Sequence, residues 1–170
     1  ITKADGQTCS GSPPACVPNT TVTFNLCVPA PTRYTDCRPE DGQPGLNVPV
    51  NARASVNVTI HGDHMFFSAF PLGAENIARR AQWLANADTN VDGNVTEAEL
   101  RALSAVTLFP SPDYNISGET PYPVVTGWDF VRGQLSTQGH FQGEGECDWN
   151  ALGEGGRAGS HEHDHDDHDD

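Results

Sequence analysis

Asp88-Thr89-Asn90-Val91-Asp92-Gly93-Asn94-Val95-Thr96-Glu97-Ala98-Glu99 places side-chain oxygens at alternate residues, Asp88, Asn90 and Asp92. Gly93 follows where a curling backbone must turn sharply, and Asn94 can offer its main-chain carbonyl. Thr96 stands where a donor often acts through water, and Glu99 closes the run with two more oxygens. The flanks read as helices that would present apolar residues to each other. Trp83, Leu84 and Ala87 lie before the loop, Val95 within it, and Leu100 and Leu103 after it. The alternative is a chance Asp/Asn turn between two helices, but loop and flanks match together.

These twelve residues satisfy D-x-[DN]-x-[DN]-G-x₅-E at every specified position, and over about thirty residues the segment resembles the EF-hand family. The resemblance implies Ca²⁺ at Asp88, Asn90, Asp92, Asn94, Thr96 and Glu99. Sensor EF-hands come in pairs and open a Met-rich groove. This chain has one complete loop and one methionine, Met65, so calcium is expected to stiffen the fold rather than switch it. Asp113-Tyr114-Asn115-Ile116-Ser117-Gly118 echoes the start of the pattern, but Val124 stands where Glu is needed. That segment reads as an Asx turn.

Working outward, Ala74–Ala87 is rich in Ala and places Ile77, Ala81 and Leu84 on one side, predicting a helix. A shorter helix should leave the loop through Leu100 and Leu103, and another is expected over Asp129–Gln138, weakened by Gly133. Ala52, Ala54, Val56, Val58 and Ile60 alternate with polar residues, predicting a strand that buries one face. A short β-type run covers Thr20–Cys27. The expected fold class is α+β: a small β-rich core, an EF-hand-like helix-loop-helix, and long irregular flanks held by disulfides. Residues 1–50 read as a Cys/Pro-rich arm, 51–150 as the metal-binding domain, and 151–170 as a Gly-rich, then His/Asp-rich tail.

The strand runs into His61-Gly62-Asp63-His64, and His140 lies in a similar Gly-flanked setting. Two nearby imidazoles and one distant one are a frequent ligand set for Zn²⁺ or Cu²⁺. Asp63, Glu144, Glu146 or Cys147 are candidates for a fourth ligand or a supporting partner. The plainer alternative is three loop histidines that never meet. His161, His163, His165 and His168 alternate with carboxylates and would bind such metals loosely, or simply form a solvated acidic tail.

The combination of VNVTIHGDHMFF (56–67), the acidic loop and GHFQGEGEC (139–147) resembles a group of secreted bacterial proteins of uncharacterised activity, over roughly residues 54–148. The likeness implies that the three motifs share one domain, and it implies no activity.

Of the 170 residues, 23 are acidic and nine are Lys or Arg, a formal charge of −14. Nucleic acid needs a basic footprint, so it is excluded as a partner, and cations are the natural ones. No run of about 20 apolar residues exists to span a membrane. Cys9, Cys16, Cys27 and Cys37 crowd the first forty residues, where disulfides are the usual support, and Cys147 makes the count odd. An opening at Ile1 fits a processed chain, so the expected location is secreted or cell-surface. Asn19, Asn57, Asn94 and Asn115 begin glycosylation triplets, of which Asn19 and Asn115 are the better acceptors.

The expectation is therefore a secreted calcium-binding protein with an additional transition-metal site, binding or structural rather than catalytic. One alternative is a self-assembling subunit of an extracellular filament, cross-linked by metal ions, arms or disulfides. The other is a zinc-dependent hydrolase using His61, His64 and His140 with Glu144 or Asp63 as base. No H-E-x-x-H or G-x-S-x-G supports the latter.

Overall fold

The computed structural model describes residues 22–26, 30–39, 45–71, 77–143, 145–153 and 155–159. Cys9, Cys16, Cys27, Glu144 and the tail histidines His161, His163, His165 and His168 lie outside them. The described fold is α+β. In chain order it comprises β1 (Thr23–Asn25), β2 (Thr32–Thr35), β3 (Val58–Ile60), a 3₁₀ turn (Gly62–Phe66) and α1 (Ala81–Leu84). A second 3₁₀ turn (Ala85–Ala87) then leads to β4 (Asn94–Thr96), α2 (Glu97–Ala102), α3 (Ala105–Leu108) and α4 (Gly127–Ser136). The chain finishes through β5 (Gly139–Phe141), β6 (Asp148–Ala151) and β7 (Ala158–Gly159).

The strands form small sheets. β1 pairs in parallel with β4, β3 antiparallel with β5, and β6 lies between β2 and β7. Pairing of Thr32–Thr35 with Asp148–Ala151 ties the N-terminal arm to the far end of the chain, and a Cys37–Cys147 disulfide fastens the same junction. Gly145 lets the chain pass there: a Cβ on it would sit 2.3 Å from the Arg38 carbonyl oxygen and 2.2 Å from that of Phe141.

α4 organises the core. Thr126 and Asp129 form a capping box, each side chain accepting from the other's backbone N–H, which satisfies two donors at the helix start. Trp128, Phe130 and Val131 are buried against Phe70, Leu84, Val95, Leu100, Phe109 and Tyr114. A smaller cluster joins Tyr122, Trp149 and Ala151, with Tyr34 against it.

Two sequence expectations are corrected. The helix predicted over Ala74–Ala87 begins only at Ala81, and residues 72–76 lie outside the description. Ser68 N donates to Ala78 O, Arg80 N donates to Phe66 O, and Arg79 bridges Phe67, so this backbone is already paired in extended form. Tertiary pairing overrides the helical propensity of the alanines. The strand predicted over Ala52–Ile60 forms only at Val58–Ile60, and it is turned the other way. Val56, Val58 and Ile60 are 52%, 68% and 64% exposed, while Thr59 faces inward and donates to Gly143 O at 2.8 Å. Alternation fixes which residues share a face, but not which face the core takes.

Candidate metal centre

The end of β3, the 3₁₀ turn that follows it, and β5 converge on three imidazoles. His61 leaves β3 and is anchored by its backbone N–H to Gln138 O at 2.9 Å. His64 lies in the turn, 2% exposed, and His140 lies on β5, 5% exposed and paired with Thr59. One ligating atom from each of His61, His64 and His140 lies within 4.8 Å of the other two. The His64 and His140 Nε2 atoms are 3.2 Å apart, and the His61 and His140 rings stack at 4.2 Å.

The second partner of His64 fixes its tautomer. Thr137 Oγ1 is buried and donates its single proton to Gln134 O at 2.9 Å. It can therefore only accept at His64 Nδ1, 3.0 Å away. Nδ1 carries the ring proton, which leaves the Nε2 lone pair directed at His140. Metal-bound histidines characteristically hold their other nitrogen in this way. Burial, followed by the neighbouring His140, pushes His64 down to a pKa of about 4. The ring is thus neutral, the state a metal needs, at any ordinary pH.

The surroundings assign the other candidates. Asp63 is held by an ion pair with Arg79, and that hydrogen bond lowers its pKa. Phe67 packs on the His64 ring at 4.3 Å, with the Arg79 guanidinium 5.3 Å above Phe67. Cys147 is oxidised to a disulfide, so it offers no thiolate. Its candidacy as a metal ligand is overturned. Among the described residues, the converging donors are the three histidines.

The acidic loop has its own geometry. Asp88 is buried, and its two carboxylate oxygens accept from Asp92 N at 3.1 Å and Gly93 N at 3.2 Å. Asn90 Oδ1 accepts from Asp92 N, and Asp92 Oδ1 from Asn94 N. Glu99 spans the loop: Oε1 accepts from Thr89 N, while Oε2 accepts from Thr96 N and Thr96 Oγ1 in a second capping box. Val91 and Gly93 both take positive φ, 63° and 84°, and for the β-branched Val91 that conformation is costly. Asp88, Asn90, Asp92 and Glu99 thus turn their side-chain oxygens to the loop's own N–H groups, and the carboxylates of Asp88, Asp92 and Glu99 do not form a converging group as the three histidines do.

No family model, curated protein or solved structure matches the chain. Its chemistry must be read from its own side chains.

One contributor and one pairing escaped the sequence reading. Thr137 carries no motif, and only the three-residue step to His140 hints at it. β1 falls within the expected β-type run Thr20–Cys27, but its parallel pairing with the loop strand, with Thr23 N donating to Gly93 O at 2.8 Å, was not foreseen. At Asp113–Gly118, Asn115 Oδ1 accepts from Ser117 N and Oγ as an Asx turn does, and Asp113 pairs with Arg80.

Proposed function

We propose that this chain is a metal-binding protein, with a transition-metal centre at His61, His64 and His140. The observation that carries the reading is the convergence of three imidazole donors within 4.8 Å, two of them on buried residues. Zn²⁺ and Cu²⁺ suit an all-imidazole set, and the Thr137 hydroxyl behind His64 is the support such a set requires. The role is to bind rather than catalyse: of the two described acids that act on His64, Asp63 is engaged by Arg79, and neither Asp63 nor Glu146 belongs to the converging group.

Calcium is the second ion of the proposal, held by Asp88, Asn90, Asp92, Asn94, Thr96 and Glu99. Its task is structural: the loop strand β4 lies against β1, and Val95 and Leu100 enter the core. A secreted or cell-surface location fits the Cys37–Cys147 disulfide, which persists in oxidising surroundings. No described helix is long and apolar enough to cross a membrane.

Calorimetric titration separates the two ions. The intact chain should take up one Zn²⁺ that is lost in His64→Ala and kept in Glu99→Ala. It should also take up one tight Ca²⁺ with the opposite dependence. Zinc uptake unchanged by His64→Ala would refute the centre.

A further inference from the structure

Resting on the proposed histidine centre, we infer that its metal keeps one coordination position open and binds a small monodentate ligand there, either water or an inorganic anion. Three observations carry this. The first is angular. With metal–nitrogen bonds of about 2.0–2.1 Å, the 3.2 Å between the His64 and His140 Nε2 atoms subtends about 100° at the metal. That is close to a tetrahedral angle. A linear two-coordinate ion would need about 4 Å between the nitrogens, and a right-angled pair about 2.9 Å. A tetrahedron with three histidine corners has one corner left.

The second is the disposition of the other donors. Asp63 is turned to Arg79, Cys147 is spent in the disulfide, Glu146 is near enough to act on His64 but is not in the converging group, and Thr137 Oγ1 lies at Nδ1, the ring nitrogen that does not face the metal. Among the described residues, the group that converges contains His61, His64 and His140. The third is access and charge. His61 is half-buried beside the exposed Gly62, so the centre meets solvent on that side while His64 and His140 close the other. Three neutral imidazoles leave a divalent ion with its full charge, which favours an anion at the vacant corner. Sites with three protein ligands and a water are the open class of zinc centre, as opposed to the closed four-ligand class.

Cobalt(II) is the probe metal, because its visible ligand-field bands report its coordination, and azide is the probe anion. The full chain loaded with Co²⁺ should show tetrahedral bands that His140→Ala abolishes. Azide should shift those bands along a saturable one-site curve. Bands that depend on His140 but do not move with azide would overturn the inference while leaving the centre standing. Three variants cover the remaining candidate donors: Glu144→Gln, Glu146→Gln, and a chain with His161, His163, His165 and His168 all replaced by alanine. An azide response confined to any one of these variants would mean that a protein ligand fills the fourth position in the intact chain, and the inference would be wrong. Bands that never form, or that survive His140→Ala, would remove the centre and this inference together.

Discussion

Replacing Thr137 with valine preserves the side-chain shape and deletes the atom that orients His64. In the wild-type protein the buried hydroxyl accepts from His64 Nδ1 at 3.0 Å and donates to Gln134 O at 2.9 Å. Gln134 O keeps the Thr137 backbone N–H at 3.1 Å, so the valine leaves a single group stranded, the His64 Nδ1–H. An unsatisfied buried donor costs about 1–3 kcal/mol, so the metal-free variant should be less stable by that amount. Loss of such a supporting partner typically weakens metal binding about 10–100-fold, or about 1.4–2.7 kcal/mol. Zinc affinity, measured by competition with a chromophoric chelator, should therefore fall within that range. Thr137→Ser retains the hydroxyl and should bind within a few-fold of wild type. A valine variant with wild-type affinity, or a serine variant as weak as the valine, would refute the tautomer assignment.

Further outcomes can be stated for the rest of the molecule. With Ca²⁺ at 100 times its dissociation constant, the wild-type chain should gain about 2.7 kcal/mol over the calcium-free protein. Glu99→Ala should lose that gain, and chelator-insensitive melting of the wild type would count against the calcium loop. The Cys37–Cys147 bond closes a loop of 110 residues, so Cys147→Ser should cost up to about 4–5 kcal/mol in denaturant unfolding. An unchanged midpoint would show that the β2–β6 pairing suffices without it. For pH, His64 has a folded pKa of about 4, below its unfolded value of about 6.5, so in that interval the unfolded chain binds the extra proton. Metal-free protein should therefore lose stability as pH falls from about 6.5 to about 4, by about 3 kcal/mol in all. A pH series of urea midpoints should show this slope in the wild type and a shallower one in His64→Gln. Equal slopes would mean that His64 is not the group responsible.

The residues that a local rule governs were legible in advance, and those governed by long-range pairing were not. Asp88, Asn90, Asp92 and Glu99 follow a fixed spacing because a curled loop demands it, and the structure curls there. α4 is found two residues earlier than expected at each end, its start set by the Thr126–Asp129 box. The three histidines were nameable as ligand types, but their meeting depends on β3 pairing with β5, which brings residues 61 and 140 together. Neither spacing nor composition encodes that pairing. The direction of β3 was missed for a related reason: its apolar set looks like a buried face until Thr59 is seen bonded to Gly143. The helix before the loop was over-read because Ala78 and Arg80 find backbone partners at Ser68 and Phe66, ten or more residues back. Cys147 was ambiguous among free thiol, ligand and bridge, and only the approach of Cys37 decides it.

The most direct test is an anomalous difference map from a crystal of the full chain soaked in Zn²⁺. A single strong peak about 2.0–2.1 Å from one nitrogen each of His61, His64 and His140 is the predicted result. Zinc found only elsewhere on the chain, with the His64–Thr137 hydrogen bond intact and no density between the three rings, would contradict the account.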